Sequence, residues 1–204
     1  QGRLIFGAGL GGMPQEFAIP SALERLPVPF EVGDLPVPRF VDAFLADAED
    51  RAEEYGDRPG GGLFVPGDGR YVFQVLQWLL RTDKLARGAA FLEWGSGQGL
   101  ATILAAVLGY DACGVEIDEK LLRESRELAA RYDVRARFEH GTYDAAKPGL
   151  KVFTAQRRAA VYVYPWPGEE PFFLDLFAAT AEPGAWLLMG LGPEDVRLFR
   201  KKGA

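Results

Sequence analysis

The chain has 204 residues, a formal net charge of −6 and 48% hydrophobic residues, a size and composition that can bury one good core and a small appendage. The acidic excess argues against a protein that binds nucleic acid mainly through its phosphates, because such binding depends on Lys and Arg. With one cysteine and one histidine, an internal disulfide is excluded, and these two residues cannot form a zinc site alone.

Two further observations concern membranes and phosphates. No apolar run approaches the length that spans a bilayer, and no signal peptide is visible. The arginines between residues 123 and 137 alternate with acidic residues, which is typical of a solvated surface rather than of a phosphate-binding track. We therefore expect a cytoplasmic protein without a membrane partner.

The N-terminal part, residues 1–62, is predicted to be an extension of a core domain at residues 63–204. Six prolines between residues 14 and 38 leave little room for long regular elements. Apolar residues recur at helical spacing from Phe40 to Tyr55 and predict an amphipathic helix. A second helix, about Arg70 to Leu85, is expected to pack on the sheet of the core.

The core begins with a short apolar run that is followed by three glycines at alternate positions. The run Ala89–Leu92 is typical of a strand buried in a parallel sheet, and apolar residues from Leu100 to Leu108 recur at helical spacing. The predicted unit is strand, glycine turn and helix. Gly95, Gly97 and Gly99 allow a sharp turn and leave bare peptide groups for a ligand.

Details of this turn distinguish two classes of ligand. A dinucleotide fingerprint requires a glycine at its sixth position, which is Leu100 here. The carboxylate of Glu93 would repel a pyrophosphate but attract a cation. The turn therefore favours a cationic nucleoside over a dinucleotide.

The second strand, Ala112–Val115, leads into an acidic residue. Glu116 lies roughly twenty residues after the glycine turn, where a ribose-binding acid belongs in nucleotide-binding βαβ units. A carboxylate there can accept hydrogen bonds from both vicinal hydroxyls. The alternative is that Glu116 opposes the dipole of the helix beginning near Asp118.

The pattern Glu-x-Gly-x-Gly-x-Gly from Glu93 to Gly99, together with Glu116, resembles class I S-adenosylmethionine-dependent methyltransferases. The segments Glu-Trp-Gly-Ser-Gly, Gly-Val-Glu-Ile and Tyr-Pro-Trp-Pro-Gly-Glu-Glu are similar to bacterial members without an assigned substrate. The resemblance covers roughly residues 63–190. It implies S-adenosylmethionine as cofactor, S-adenosylhomocysteine as product, and methyl transfer by in-line displacement to an unidentified acceptor.

The resemblance also implies roles for individual residues. Glu93 would orient the methionyl ammonium or its water, and Glu116 would hold the ribose. Tyr164 and Trp166 would line the methyl side and are the candidate catalytic residues. No metal is implied. The other cofactor contacts are expected from Gly95, Ser96, Gly97, Gly99, Ile117, Thr142, Tyr143 and Tyr164.

The third strand, Val134–Glu139, is followed by a departure from the family pattern. The family often has a Gly-Asp pair there whose acid meets the adenine amine, and this chain has Gly141-Thr142. Thr142, the backbone of Tyr143 or Asp144 would have to replace that acid.

The fourth strand, Ala159–Tyr164, runs into Tyr-Pro-Trp-Pro. Family members that methylate exocyclic amines of bases have Asn/Asp-Pro-Pro-aromatic at this place, so the departure argues against that activity. The alternative for this segment is a rigid turn with packed aromatics. A helix at Phe172–Ala181 and a fifth strand at Ala185–Met189 follow.

The expected fold class is α/β, a Rossmann-like class I methyltransferase sheet of order 3-2-1-4-5 with parallel strands and helices on both faces. Val196–Lys201 can supply only one further strand. The C-terminal edge is therefore abbreviated, or the N-terminal extension completes it.

Three functions stay open at this point. A methyltransferase is expected to act on a small molecule or a protein rather than on nucleic acid, with the extension folded over the cofactor face to shape the acceptor pocket. A non-catalytic S-adenosylmethionine-binding module is compatible with the missing base-gripping motif. A nicotinamide-dependent oxidoreductase is disfavoured by Leu100 and Glu93.

Overall fold

The computed structural model describes residues 17–57, 67–143 and 159–203. These residues form seven strands, five α-helices and one 3-10 helix at Phe30–Asp34. The strands are β1 Leu23–Leu26, β2 Ala90–Trp94, β3 Asp111–Glu116, β4 Arg137–His140, β5 Ala160–Val163, β6 Trp186–Gly192 and β7 Asp195–Lys201. The helices are α1 Arg39–Asp57, α2 Gly69–Arg81, α3 Leu100–Leu108, α4 Glu119–Arg131 and α5 Glu170–Thr180.

The strands form one sheet in the order β1-β7-β6-β5-β2-β3-β4. The five strands from β6 to β4 run parallel to one another. Counted as the first to fifth strands of the core, they have the order 3-2-1-4-5, and the predicted order is confirmed. Parallel strands place their carboxyl ends at one edge of the sheet, where ligands bind in folds of this type.

The last two positions of the sheet are filled from the two ends of the chain. β7 is the single strand that the C-terminal segment supplies, and it pairs antiparallel with β6. β1 pairs antiparallel with β7, with Leu23 opposite Lys201 and Leu26 opposite Leu198. Of the two alternatives left open by the sequence, the structure has the N-terminal extension completing the edge.

Three elements, α2, β4 and β5, are shorter than predicted. α2 ends at Arg81 because the Thr82 hydroxyl donates to the Trp78 carbonyl at 2.8 Å and Asp83 adopts a φ of +53°, which does not continue a right-handed helix. Asp133 also has a φ of +53°, just after the end of α4, and β4 starts only at Arg137. Local side-chain and backbone geometry sets these ends, and apolar periodicity does not reveal it.

Helices cover both faces of the sheet, and alternate strand residues pack on opposite sides. Phe91 lies in the larger apolar cluster with α2 and α3, whereas Leu92 lies in the smaller cluster with α5. Both side chains are almost fully buried, as expected for a strand whose two faces are covered. In the described part of the chain, no helix combines the length and apolar character needed to cross a bilayer.

The described part of the N-terminal extension, residues 17–57, is called the arm. Val32, Val41 and Phe44 of the arm are buried in the larger apolar cluster. The Gln74 side-chain amide of α2 donates to the carbonyls of Gly33 and Leu35 at 2.6 and 2.8 Å. The arm is therefore tied to the core by packing and by side-chain hydrogen bonds, while residues 1–16 and 58–62 of the predicted extension lie outside the described residues.

The start of α3 lies directly on β3, at a residue without a side chain. A Cβ atom on Gly114 would lie 2.6 Å from the Ser96 Cβ and 2.8 Å from the Thr102 Oγ1. Real Cβ atoms do not approach other atoms this closely. Gly114 thus permits the close contact between strand and helix that positions the glycine turn.

We predict that Gly114→Ala lowers the free energy of unfolding by about 1–3 kcal/mol, because the added methyl group overpacks a site with no free space. Urea denaturation measures this change. The control is Gly141→Ala, whose added Cβ would meet only the Val115 Cγ1 at an ordinary 3.6 Å. Equal stability of the two variants would contradict the packing role.

Candidate cofactor site

The glycine turn joins β2 to α3 and is anchored to β3. Gly95, Gly97 and Gly99 all have positive φ angles, of +69°, +53° and +79°, which only glycine adopts without strain. The backbone N–H groups of Gly95 and Ser96 both donate to the Val115 carbonyl, at 3.0 and 2.9 Å. The turn is therefore held at the carboxyl end of the parallel sheet.

The glycines differ in what surrounds them. A Cβ on Gly99 would lie 2.5 Å from the Phe138 ring, so this glycine permits close packing within the core. A Cβ on Gly95 would approach the Tyr143 hydroxyl at 3.2 Å, and Gly95 lines a cavity at the sheet end. Within the turn, Gly95 is the glycine that a ligand can contact.

Glu93, at the end of β2, stabilises the first turn of α3. Its side chain is 6% exposed, and Oε2 accepts hydrogen bonds from the Thr102 backbone N–H at 2.7 Å and the Thr102 hydroxyl at 2.5 Å. Burial raises the pKa of this carboxyl to about 8, although the bonds from Thr102 lower it. Glu93 thus satisfies a free N–H group at the helix start.

Glu116 connects the end of β3 to the glycine turn. Its Oε2 accepts from the Gly97 N–H at 2.8 Å, and its Oε1 accepts from the N–H groups of Ile117 and Asp118 at 2.8 and 2.9 Å. Asp118, rather than Glu116, caps α4 by accepting from the Lys120 N–H at 2.7 Å. Glu116 is therefore not the capping residue of this helix.

The hydrogen bonds of Glu116 limit what a ligand can add. A carboxylate offers about four lone-pair positions, and three backbone N–H groups already use three of them. The side chain is 8% exposed and lines the cavity. One further hydrogen bond to Oε2 is available without rearrangement, instead of the two that the sequence suggested for a ribose.

The cavity beside the glycine turn has a volume of about 470 Å³, and we call it the turn cavity. It lies at the carboxyl ends of β2, β3 and β5. Six residues predicted for the cofactor or methyl side line it: Gly95, Glu116, Ile117, Tyr143, Tyr164 and Trp166. Ile117 is 63% exposed, so it presents an apolar surface that a ligand can cover.

Five predicted residues lie outside the cavity lining. Ser96 and Gly97 belong to the turn itself, and Glu93 bonds the start of α3 through Thr102. Gly99 packs against the Phe138 ring. Thr142 does not line the cavity either. Glu93, Ser96, Gly97 and Gly99 therefore influence the site indirectly, because they fix the backbone positions of Gly95 and Glu116. Asp144, the other candidate for the adenine contact, lies outside the described residues.

Several lining residues were not predicted, and two of them are acidic. Glu169 and Glu170 line the cavity; their carboxylates accept from the backbone N–H groups of Trp166 and Gly168, at 3.2 and 2.8 Å. Their position between the end of β5 and the first residue of α5, at the ligand-binding edge, is the available sequence signal. All charged residues that line the turn cavity in the described part of the chain are carboxylates.

Aromatic rings form one wall of the turn cavity. Tyr143 contacts Phe173 edge to face, with ring centroids 5.3 Å apart, and Phe173 stacks on Trp94 at 6.0 Å. Burial raises the pKa of Tyr143, and the negative charges of Glu116 and Glu169 raise it further. The cavity therefore combines an apolar wall with a negative potential, which suits a cation with an apolar or aromatic body.

Tyr164 stands between the turn cavity and a second cavity of about 590 Å³. We call the second one the arm cavity, because α1 forms one of its walls. A Cβ on Gly67 or Gly190 would lie 3.1 or 2.8 Å from the Tyr164 Cδ2. Two glycines thus make room for the ring, and a Cβ on either of them would also lie within 3 Å of the Tyr162 hydroxyl oxygen.

The sheet order and the glycine turn define a Rossmann-like fold of the class I methyltransferase type, and solved structures agree. A methyltransferase from Geobacter sulfurreducens matches with a TM-score of 0.56 at 16% identity, over 83% of this chain and 93% of that chain. An SAH-bound methyltransferase from Podospora anserina matches with a TM-score of 0.53 at 16% identity, over 80% and 71% of the two chains. The predicted fold class is confirmed.

Curated proteins of similar sequence match this chain over a shorter segment than the solved structures do. Ribosomal protein L11 methyltransferase of Thermus thermophilus is 41% identical over 64 residues, which is 31% of this chain and 25% of that protein. The enzyme of the same name from Neisseria gonorrhoeae is 41% identical over 64 residues and 21% of its length. The chain thus matches a quarter or less of these relatives. No protein-family model matches it.

We predict that Glu93 makes stability dependent on pH. Since burial raises its pKa from 4.5 to about 8, the folded chain keeps a proton that the unfolded chain releases above about pH 4.5. The free energy of unfolding should therefore fall as the pH rises through this window to about 8. Glu93→Gln, which keeps an acceptor for Thr102, should flatten the dependence.

Urea denaturation at several pH values between 5 and 8.5 measures this slope. Glu119→Gln is the control, since Glu119 is exposed on α4 and should leave the slope unchanged. An identical slope in the wild type and in Glu93→Gln would contradict the assignment of the titrating group.

Proposed function

We propose that this chain is an S-adenosylmethionine-dependent methyltransferase that binds its cofactor in the turn cavity. The observation that carries the proposal is the Glu116 carboxylate, which three backbone N–H groups fix at the end of β3 and which lines a cavity whose charged residues are all acidic. S-Adenosylmethionine carries a sulfonium and an ammonium and no phosphate. A volume of about 470 Å³ is within the range of small-molecule sites.

Each part of the cofactor has a place in this proposal. The methionine part lies against Gly95, and the ribose donates a hydrogen bond to Glu116. The adenine covers the exposed side chain of Ile117 near Tyr143 and Thr142. Ser96, Gly97 and Gly99 contribute through the shape of the turn.

Glu93 is proposed to act through α3 and the turn, because its oxygen already binds Thr102. A neutral carboxyl at this position also costs less to bury than a charge. Its contact with the methionyl ammonium, direct or through water, remains a prediction of the family resemblance.

The proposed reaction is an in-line displacement at the methyl carbon. The acceptor attacks the methyl group as the sulfonium charge collapses, and the protein contributes mainly alignment. Tyr164 and Trp166 line the methyl side in this proposal. No general base is needed if the nucleophile arrives neutral or already ionised.

A small molecule or a protein is the proposed class of acceptor, in preference to nucleic acid. The net charge of −6 and the acidic lining of the turn cavity oppose an approaching phosphate backbone. The relatives named ribosomal protein L11 methyltransferase are compatible with a protein acceptor. A cytoplasmic location is part of the same proposal.

We predict that S-adenosylmethionine and S-adenosylhomocysteine bind with an affinity on the order of micromolar, and that NAD⁺ and NADP⁺ do not bind at the same concentrations. Carboxylates attract the two cationic groups and repel a pyrophosphate. Isothermal titration calorimetry measures all four ligands. Preference for a dinucleotide would contradict the proposed ligand, and cofactor binding without methyl transfer to any acceptor in a cell extract would favour the non-catalytic module.

We predict that Glu116→Ala weakens cofactor binding on the order of tenfold to a hundredfold, because one charge-assisted hydrogen bond worth about 1.5–3 kcal/mol is lost. The same variant should also lower stability, since three backbone N–H groups lose their acceptor. Glu116→Gln should give an intermediate affinity. Calorimetry and urea denaturation measure the two effects.

Glu119→Ala, on the exposed face of α4, is the control for both measurements. If Glu116→Ala bound the cofactor as tightly as the wild type at the same salt and pH, the ribose assignment would be wrong. A loss of stability alone would leave Glu116 with only its role in holding the turn.

A further inference from the structure

The arm cavity borders the turn cavity at the Tyr164 side chain, which lines both. Its walls come from five separate segments: α1, the start of α2, the glycine turn with the start of α3, Tyr164 after β5, and the β6–β7 connection at Pro193. Leu45 of α1 and Leu100 of α3 contribute apolar surface. A volume of about 590 Å³ is sufficient for a small molecule beside the cofactor.

The charged residues that line the arm cavity are predominantly acidic. They are Asp42, Glu49 and Asp68 against one cation, Arg70, which gives the lining a formal charge of −2 (three negative and one positive). Arg70 forms an ion pair with Asp42. A cationic group is therefore attracted to this cavity, and an anion is repelled.

Asp68 and Glu49 differ in their hydrogen bonds and in their exposure to solvent. The two oxygens of Asp68 accept from the backbone N–H groups of Tyr71 and Glu194, at 3.0 and 3.1 Å. These bonds fix the Asp68 carboxylate in the wall of the arm cavity. Glu49 lies on the exposed side of α1, where it can attract an entering cation.

We propose that the arm cavity binds the methyl acceptor and that this acceptor is a small-molecule amine with an apolar body. The inference rests on the proposed methyl-transfer function and adds to it the acceptor site and the acceptor's chemical class. Apolar side chains hold the body, and the carboxylates attract the amino group. Tyr164 lines both cavities, so in this proposal the acceptor nitrogen and the methyl group meet beside its ring.

Methyl transfer to such an amine conserves atoms and charge. The ammonium first loses a proton to water, and the nitrogen lone pair then forms a bond to the methyl carbon. The carbon–sulfur bond breaks, and its electron pair goes to the sulfur, which becomes a neutral thioether. The positive charge passes from sulfur to nitrogen, so it stays within the acidic surroundings of the two cavities.

The test uses the full chain loaded with S-adenosylhomocysteine and three probes that share one ring: benzylamine, benzyl alcohol and benzoate. Ligand-observed NMR titration measures their binding. We expect benzylamine to bind at least about fivefold more tightly than benzoate, since the lining has opposite effects on the two charges. Benzoate binding as tight as benzylamine would overturn the inference.

Two substitutions in α1 test whether benzylamine binds in the arm cavity. Glu49→Gln should weaken benzylamine binding about two- to fivefold, as expected for one partly exposed charge, whereas Glu53→Gln on the same helix should not. Ala46→Phe places a ring in the arm cavity, since Ala46 lines it, and should abolish benzylamine binding. Unchanged benzylamine affinity in both Glu49→Gln and Ala46→Phe would overturn the assignment to the arm cavity.

Calorimetry with S-adenosylhomocysteine separates this inference from the proposed function. Unchanged cofactor affinity in Glu49→Gln and Ala46→Phe, combined with lost amine binding, supports the arm cavity as a separate site. Cofactor binding without any preference for the amine leaves the methyltransferase proposal in place and overturns the acceptor class. Failure of the wild type to bind the cofactor overturns the proposed function, and the inference with it.

Discussion

The contact between the carboxylate of Glu116 and the backbone of the glycine turn is the interaction on which the site depends. β3 ends at Glu116, and its Oε2 binds the Gly97 N–H at 2.8 Å. The same strand carries Gly114, without which the start of α3 could not lie on the sheet. A shift of β3 relative to the turn would therefore displace the cavity wall and the acid that faces it.

Glu93 adds a second support to the same turn from the neighbouring strand. It bonds the start of α3 through Thr102, in a place so buried that the pKa of the carboxyl rises to about 8. Glu93 thus holds the start of α3, and Glu116 holds the turn at Gly97. Only Glu116 faces the cavity, which explains how two acids of one motif have different surroundings.

The arm has two structural consequences for the site. Its strand β1 completes the sheet edge, and its helix α1 forms one wall of the arm cavity. Tyr164 is held between the cavities by the space that Gly67 and Gly190 leave. The arm and the core together in this way form a second cavity beside the first.

The sequence by itself determined the order of the core strands, the glycine turn and the acid at the end of the second strand. Apolar periodicity and glycine spacing are local signals that identify the strands and the turn. Because the strands are parallel, the residues that follow them lie at the same edge of the sheet. The sequence did not determine that Glu93 bonds Thr102 and that Gly99 packs against Phe138. These contacts form only when the helices and strands pack together in the folded chain.

Only the tertiary structure decided what closes the sheet edge and what lines the cavities. The pairing of β1 with β7 joins residues far apart in the sequence, such as Leu23 and Lys201, and no local pattern encodes such a contact. Glu169 and Glu170 became part of the turn cavity for the same reason, since the loop after β5 meets the end of β3 only in the folded sheet. Local side-chain patterns specify elements, whereas long-range packing specifies which side chains share a site.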